Sequence, residues 1–366
     1  MKKRFLALVI SGLALGAGAG PAMADDPVSS QAAGQFAGSV QSAESNANST
    51  QIKPSNSNIN VRVLSPGDDG SVSQENNSYA EADATNDNDT DQSVDQSQYG
   101  GGGGDALQEA AQEAANLQKA EADAESKQIE PSNKNISVRV LSPGDNGNVS
   151  QENNSKAKAK AENDNDLDQT IDQHQGGSGA PMSSGSYGDY GKKDDYGKKD
   201  DYGKKDDCDC KGGTGIQAAG QEAVNKQFAD ADADSVQVKP SNTNISVRVL
   251  SPGDDGDVSQ ENNSYADATA KNDNDTDQSI TQKQRSYGCG CKSSDLIQAA
   301  AQSAFNFQKA DADAESKQIK PENNAFSLRL KSWGDGGDLD QSNNSWADAF
   351  SRNENDLDQD VEQTQG

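Results

Sequence analysis

The chain has a single histidine, four cysteines and only 5% aromatic residues across 366 positions. So few histidines and thiols leave little material for acid–base or nucleophilic machinery, and the sequence argues against an enzyme. Hydrophobic residues make up 31%, whereas ordinary globular domains carry roughly 45–50% apolar residues with glycine included. A large oily core is therefore excluded. Positive charge is also scarce, with 32 basic residues against 60 acidic ones and a net charge of −28. That sign argues against nucleic acid and anionic membrane surfaces as direct partners. Low hydrophobicity combined with high charge is the composition of disordered chains, so an ordered fold has to be argued from pattern.

Only one substantial apolar run occurs, Phe5 to Leu15. It follows Lys2, Lys3 and Arg4 and precedes Ala22-Met23-Ala24, an A-x-A cleavage pattern. Residues 1–24 read as a secretory signal peptide, too short to span a membrane. The expectation is a secreted protein, extracellular or at the cell surface, without a membrane span.

What the chain does have is repetition. Val-Arg-Val-Leu-Ser-Pro-Gly-Asp occurs at 61–68, 138–145 and 247–254, and Leu328-Arg329-Leu330 marks a diverged fourth occurrence. Aligned on these anchors, four units of about 68 residues hold register without a gap: 31–98, 108–175, 217–284 and 298–365. All length variation falls between the units, so spacing inside each one is physically constrained.

Within a unit the striping has period two. From Val72 to Gln98, every second residue is small or an amide, such as Gln74, Asn76, Ala80, Asn86 and Gln92. The residues between them are largely acidic. Strict alternation predicts strand. The upstream segment alternates as well. A helix competes for Leu107 to Gln128, rich in Ala, Glu, Gln and Lys, but the first unit carries Gly34, Gly38 and several serines there, which favours strand. Pro54, Pro131, Pro240 and Pro321 punctuate each unit. A short strand (Ile136, Val138, Val140) and the turn Ser142-Pro143-Gly144-Asp145-Asn146-Gly147 then predict a β-hairpin.

Asn, Gln, Ala and Ser cannot stabilise such strands by hydrophobic burial alone. Stacking identical units in register lets the amides bond as ladders and lets each unit bury its neighbour. The outer faces agree: Lys158 falls level with Glu81 and Asp267, Lys160 with Asp83, and Lys156 between Tyr79 and Tyr265, with Trp346 continuing the row. The fold expected is all-β, with four tandem repeats, each with a β-hairpin and long alternating strands, stacked like a solenoid and joined by disordered linkers.

Stacking also aligns Asp89, Asp166, Asp275 and Asp356, and likewise Asp91, Asp168, Asp277 and Asp358. Carboxylates repeating at about 4.8 Å need screening or a bridging cation. These eight residues are candidate Ca²⁺ ligands, since hard cations favour carboxylate oxygen; the competing reading is a solvated acidic face, and no EF-hand pattern is present.

Between the units lie a Gly-rich linker at 99–107, a segment at 176–216 that repeats Tyr-Gly-Lys-Lys-Asp-Asp, and a linker at 285–297. Tyr190, Tyr196 and Tyr202 read as spacer residues, with adhesion or oxidative cross-linking as the alternative. Cys208, Cys210, Cys289 and Cys291 sit in these linkers and are disulfide candidates in an exported chain. Three intramolecular pairings are open, and C-x-C matches no strong zinc pattern. His174 reads as a polar strand residue.

The succession Val-Leu-Ser-Pro-Gly-Asp-Asp-Gly, Val-Ser-Gln-Glu-Asn-Asn-Ser, an Ala-rich run and Asn-Asp-Asn-Asp-x-Asp-Gln resembles exported Asn/Gln/Ala-rich repeat proteins of actinobacterial type. A weaker likeness is to curlin-type fibre subunits, whose repeats space Asn and Gln six apart, as Asn86 and Gln92 are here. The resemblance itself implies little mechanism. The stacked repeats and the export signal lead to the expectation of a non-enzymatic, self-associating structural protein of the cell surface or matrix, fibre-like through its Asn/Gln ladders. Two alternatives stay open: a Ca²⁺-binding surface adhesin whose partners are surface or matrix components, and a largely disordered acidic hydrated coat.

Overall fold

The computed structural model describes residues 29–100, 106–177, 214–285 and 296–366. Across these segments the chain is all-β, and three parallel sheets stack against one another in a solenoid-like arrangement. The first segment folds as β1 (Ser29–Ile52), β2 (Ser55–Val63) and β3 (Val72–Gly100), and the second as β4 (Ala106–Ile129), β5 (Ser132–Val140) and β6 (Val149–Gly177). The third supplies β7 (Gly215–Val238), β8 (Ser241–Val249) and β9 (Val258–Arg285), and the fourth β10 (Leu296–Ile319), β11 (Glu322–Leu330) and β12 (Leu339–Gln365). We call each set of three strands a layer. One sheet runs β1-β4-β7-β10, the second β2-β5-β8-β11, the third β3-β6-β9-β12. Pairing is in register throughout, so Gln31 lies over Gln108, Gln108 over Gln217, and Gln217 over Gln298.

The Ala- and Glu-rich upstream segments are strands, not helices. Intrinsic propensity favours helix there, but a helix would point successive amides to different faces and leave the ladders unmade. The tertiary arrangement overrides propensity.

One expectation is corrected. The turn after Val140 does not close a β-hairpin, because β5 and β6 lie in different sheets and share no ladder. The backbone donors of each strand are taken by the equivalent strands of adjoining layers. The turn therefore rotates the chain so that β2 and β3 face each other through side chains, as an arch: Asn56 Nδ2 donates to the Glu75 carbonyl at 2.8 Å. An in-register neighbour offers every Asn and Gln an identical amide at its own height, which a hairpin partner would not.

Two bends shape each layer. At the first, Lys53 and its equivalents Glu130, Lys239 and Lys320 adopt φ between 51° and 53°. The following proline has no N–H to lose, and the Pro54 carbonyl accepts from Ser132 at 2.9 Å. At the second, Leu64, Leu141, Leu250 and Lys331 repeat a left-handed φ near 50°. The same unusual conformation recurs at matching positions because an in-register stack requires every layer to turn alike.

β1 and β3 run antiparallel to each other across the interior. Gln98 near the end of β3 donates to the Ser29 carbonyl at the start of β1 at 2.8 Å. The chain leaving a layer thus starts its return beside the entry point of the next. The connection has only the spacing between facing sheets to cross, roughly 10 Å, and its length is otherwise free.

The interior is thin and made of small residues. Ala80, Ala82 and Ala84 of β3 meet Ala120, Ala122 and Ala124 of β4 and their equivalents above in one buried cluster. Bulk appears where the facing side chain is small: Leu167 packs on Ala114 and Ala223, and Val94, Ile171 and Ile280 on Ala110 and Ala219.

Candidate functional site

The chemistry of the stack resides in columns, each built from one residue position taken through successive layers. The glutamine columns are continuous. Gln112 Nε2 donates to Gln35 Oε1 at 3.1 Å, Gln221 to Gln112 at 3.0 Å and Gln302 to Gln221 at 2.9 Å. The same amide nitrogens also donate across to the facing sheet, as Gln112 does to the Thr170 carbonyl at 3.0 Å. A primary amide has two N–H donors and a backbone carbonyl has two lone pairs. One donor serves the ladder and the other the opposite strand, so buried glutamine is satisfied without water. The inward asparagine columns run in the opposite sense: Asn76 donates to Asn153 at 2.9 Å, Asn153 to Asn262 at 2.9 Å, and Asn262 to Asn343 at 2.7 Å. Each such bond contributes about 1 kcal/mol net, and repetition over many columns replaces the missing oily core.

A serine column was not singled out from the sequence. Ser49 and Ser78 hydroxyls lie 2.9 Å apart, Ser126 reaches Ser78 and Ser155 at 2.9 Å each, and Ser235 reaches Ser155 at 3.1 Å and Ser264 at 2.9 Å. Ser316 continues it to Ser345 at 2.9 Å. The available signal was that serine occupies both positions in all four units.

Inside the arch, Arg62, Arg139, Arg248 and Arg329 form a column of like charges, and Arg139 and Arg248 are fully buried. Two carboxylates serve the four guanidiniums. Asp69 binds Arg62 at 2.5 Å and Arg139 of the next layer at 2.9 Å; Asp255 binds Arg248 at 2.7 Å and Arg329 at 3.2 Å. The matching positions in the other layers are neutral, Asn146 and Gly336. Backbone carbonyls complete the coordination, with Arg139 donating to Gly67 and Asp145 at 2.7 Å each. Burial alone would raise the Asp69 carboxyl, but the bond from Asn60 and the two guanidiniums hold it below its ordinary value. A cavity of about 490 Å³ runs beside this column, lined by Asp69, Ser137, Asn146, Ser246 and Asp255 among others.

The outer face places the lysines level with their expected partners, as the sequence predicted, and some of them pair. Lys156 Nζ lies 5.8 Å from the centre of the Tyr79 ring and 5.0 Å from that of Tyr265, and Tyr265 packs on Trp346 at 4.8 Å. Lys158 binds Glu81 at 3.3 Å. Lys160 is level with Asp83, but its ion pair is with Glu162 on its own strand, at 2.8 Å.

The candidate calcium ligands form two exposed rows, Asp89-Asp166-Asp275-Asp356 and Asp91-Asp168-Asp277-Asp358. Partial desolvation and the neighbouring carboxylates raise the Asp166 and Asp277 carboxyls. A second acidic set on the β1-β4-β7-β10 sheet, Asp230, Asp232 and Asp234, is raised as well. Desolvation, with Asp234, Asp123 and Asp313 around it, pushes Asp232 up to about 6. Among the described residues, no group of three or more His, Cys, Asp or Glu side chains converges as a metal site, and no helix is long and apolar enough to cross a membrane. Cys208, Cys210, Cys289 and Cys291, residues 1–24 with the expected signal peptide, and the tyrosines of the 176–216 segment lie outside the described residues.

Among the described residues, both ends of the stack are open. β1, β2 and β3 form one edge of the three sheets and β10, β11 and β12 the other. None of these strands contains a proline, the residue that commonly blunts an edge. No protein family, curated protein or solved structure matches the chain.

Proposed function

We propose that the chain is an exported, non-enzymatic structural protein of the cell surface or extracellular matrix, which assembles end to end into a fibre. In this reading the four sequence units are four rungs of a longer ladder, and the segments between the strands of successive layers, at 101–105, 178–214 and 286–295, are spacers that return the chain between rungs. The observation that carries it is the match between the two open edges. Inward residues of the last layer, Gln298, Gln302, Gln308 and Gln318, stand in register above Gln31, Gln35, Gln41 and Gln51 of the first. A second copy placed first layer on last layer would therefore continue each glutamine column with the partner it already has inside the stack. On the β1-β4-β7-β10 sheet the outward face favours the same junction. Asp313 and Glu315 crown columns of repelling carboxylates, but the first layer carries Asn46 and Asn48 in those columns. Asn48 already donates to Glu125 at 2.9 Å. Unprotected, self-matching edges are templates for addition of another chain.

The test is polymerisation of the mature chain, followed by electron microscopy and fibre diffraction. Fibres with a meridional reflection near 4.8 Å, seeded by sonicated fragments, are expected. A chain that stays monomeric at high concentration with seeds present would defeat the reading. The second reading, a calcium-stiffened adhesin, draws its support from the raised Asp166 and Asp277 carboxyls. It requires the melting temperature of the monomer to rise with millimolar Ca²⁺ and to fall back with EDTA.

A further inference from the structure

The sheet β2-β5-β8-β11 is turned inside out relative to a usual half-buried sheet. Its polar residues, Asn133, Asn135, Ser137 and Arg139 in β5, point into the arch, while Ile136, Val138 and Val140 point outward. The outward face is apolar in every layer. Ile59, Val61 and Val63 open the strip in the first layer, and Phe326, Leu328 and Leu330 end it in the fourth; Val61 is 60% exposed and Leu328 47%. Ridges of apolar side chains, β-branched in the first three layers and repeating in straight rows, have the form of one half of a dry steric zipper.

We infer that this strip is the lateral interface between two copies of the chain, and that it pairs two fibres side by side. Charge selects the occupant. The molecule carries −28, and the outward faces of the other two sheets present rows of carboxylates such as Asp123-Asp232-Asp313 and Asp89-Asp166-Asp275-Asp356. On the apolar strip, outward positions from Ser57 to Val63 and their equivalents carry one charge in all four layers, that of Lys134. Two like-charged copies can therefore close on this face without opposing carboxylates.

Area then sets when they close. Five residues along four strands cover roughly 300 Å² at ordinary strand spacings. A stable interface needs about 800 Å² per partner. One molecule falls well short, which lets the free chain remain soluble. End-to-end addition makes the strip continuous, and about three molecules in file reach the necessary area. Lateral pairing thus follows elongation and rests on the end-to-end reading above.

The experiment compares wild-type fibres with those of the quadruple variant Val61→Thr, Val138→Thr, Val247→Thr and Leu328→Thr by mass per unit length in dark-field scanning transmission microscopy. Threonine keeps β-propensity on an outward position, and melting of the monomeric variant checks that the stack is intact. The expected result is two chains per roughly 19 Å of wild-type fibre, four strand spacings, and one chain over the same length in the variant. Wild-type fibres with one chain per repeat, or variant fibres that keep two, overturn the lateral interface while leaving end-to-end growth standing. Absence of any wild-type fibre overturns both.

Discussion

Asp69 in the first layer holds the guanidinium of Arg139 in the second at 2.9 Å while also binding Arg62 of its own layer. Asp255 repeats the arrangement for Arg248 and Arg329. One carboxylate therefore bridges two layers, and the acidic position alternates Asp, Asn, Asp, Gly along the stack. A carboxylate in every layer would place like charges in adjacent rungs. With none, the arginines would be buried uncompensated.

Asp255→Asn tests this economy. It removes the carboxylate from both Arg248, which is fully buried, and Arg329. Breaking a buried pair from one side typically costs about 3–5 kcal/mol. Chemical denaturation should show a loss of that order, concentrated in the upper two layers as read by amide exchange. A loss below about 1 kcal/mol, the median for exposed ion pairs, would mean the column is held by backbone carbonyls alone.

Acidic pH should at first strengthen the stack. Asp164, Asp166, Asp230, Asp232, Asp234 and Asp277 all titrate above their ordinary value of 3.8, through desolvation and their column neighbours, with Asp232 at about 6. A carboxyl raised in the folded state binds more protons there than in the unfolded chain, so stability increases as pH falls through the raised values. Asp69 has the opposite sign. Its contribution is present above 3.8 and is lost as pH falls through its lowered folded value. The melting temperature should therefore rise from pH 7 to about 5, level near 4 and fall below 3.8. A monotonic decline from pH 7 downward would contradict the assigned strain in the acidic columns.

Much of this fold is written in the register of the repeats. Gapless alignment placed Lys156 between Tyr79 and Tyr265 and Lys158 beside Glu81, because in-register parallel pairing converts equal unit position into equal height. Alternation identified strands for the same reason. It could not say which face is buried. In Asn135-Ile136-Ser137-Val138-Arg139 the polar set is inside, and only the facing carboxylates and loop carbonyls make that favourable. The arch was misread as a hairpin because a Ser-Pro-Gly-Asp turn is compatible with both, and the choice depends on partners in other layers. The serine column was overlooked because a hydroxyl carries little signal in a chain so rich in small polar residues.

Gly144→Ala should break the junction between the first two layers. Gly144 has φ of 131°, and an added Cβ would lie 2.2 Å from the Gly67 carbonyl oxygen of the layer below. Neither the backbone conformation nor the neighbouring backbone can yield without moving the arch, and Arg139 donates to that same carbonyl. A cost of about 2 kcal/mol or more is expected from strain of this kind, accompanied by faster amide exchange at Gly67 and Asp69. Wild-type stability in this variant would mean the loop layers are not in backbone contact in solution.

Ser39→Asn should stabilise the protein. Ser39 pairs with Asn116 in the ladder register, and the column above it runs Asn116 to Asn225 at 3.2 Å and Asn225 to Asn306 at 3.0 Å. In the first layer the side chain is too short to continue the column, and Asn116 Oδ1 is buried without a hydrogen-bond partner. An asparagine at position 39 donates in the same sense as the rest of the column and satisfies that oxygen. Leaving such an acceptor unmet costs about 1–3 kcal/mol; allowing for the side-chain entropy lost on ordering the new amide, a net gain of about 1 kcal/mol is expected. The denaturation midpoint should move up with an unchanged slope, since the surface exposed on unfolding barely differs. Ser39→Val, similar in bulk but without a donor, should give no such gain, which separates the hydrogen bond from simple filling of space.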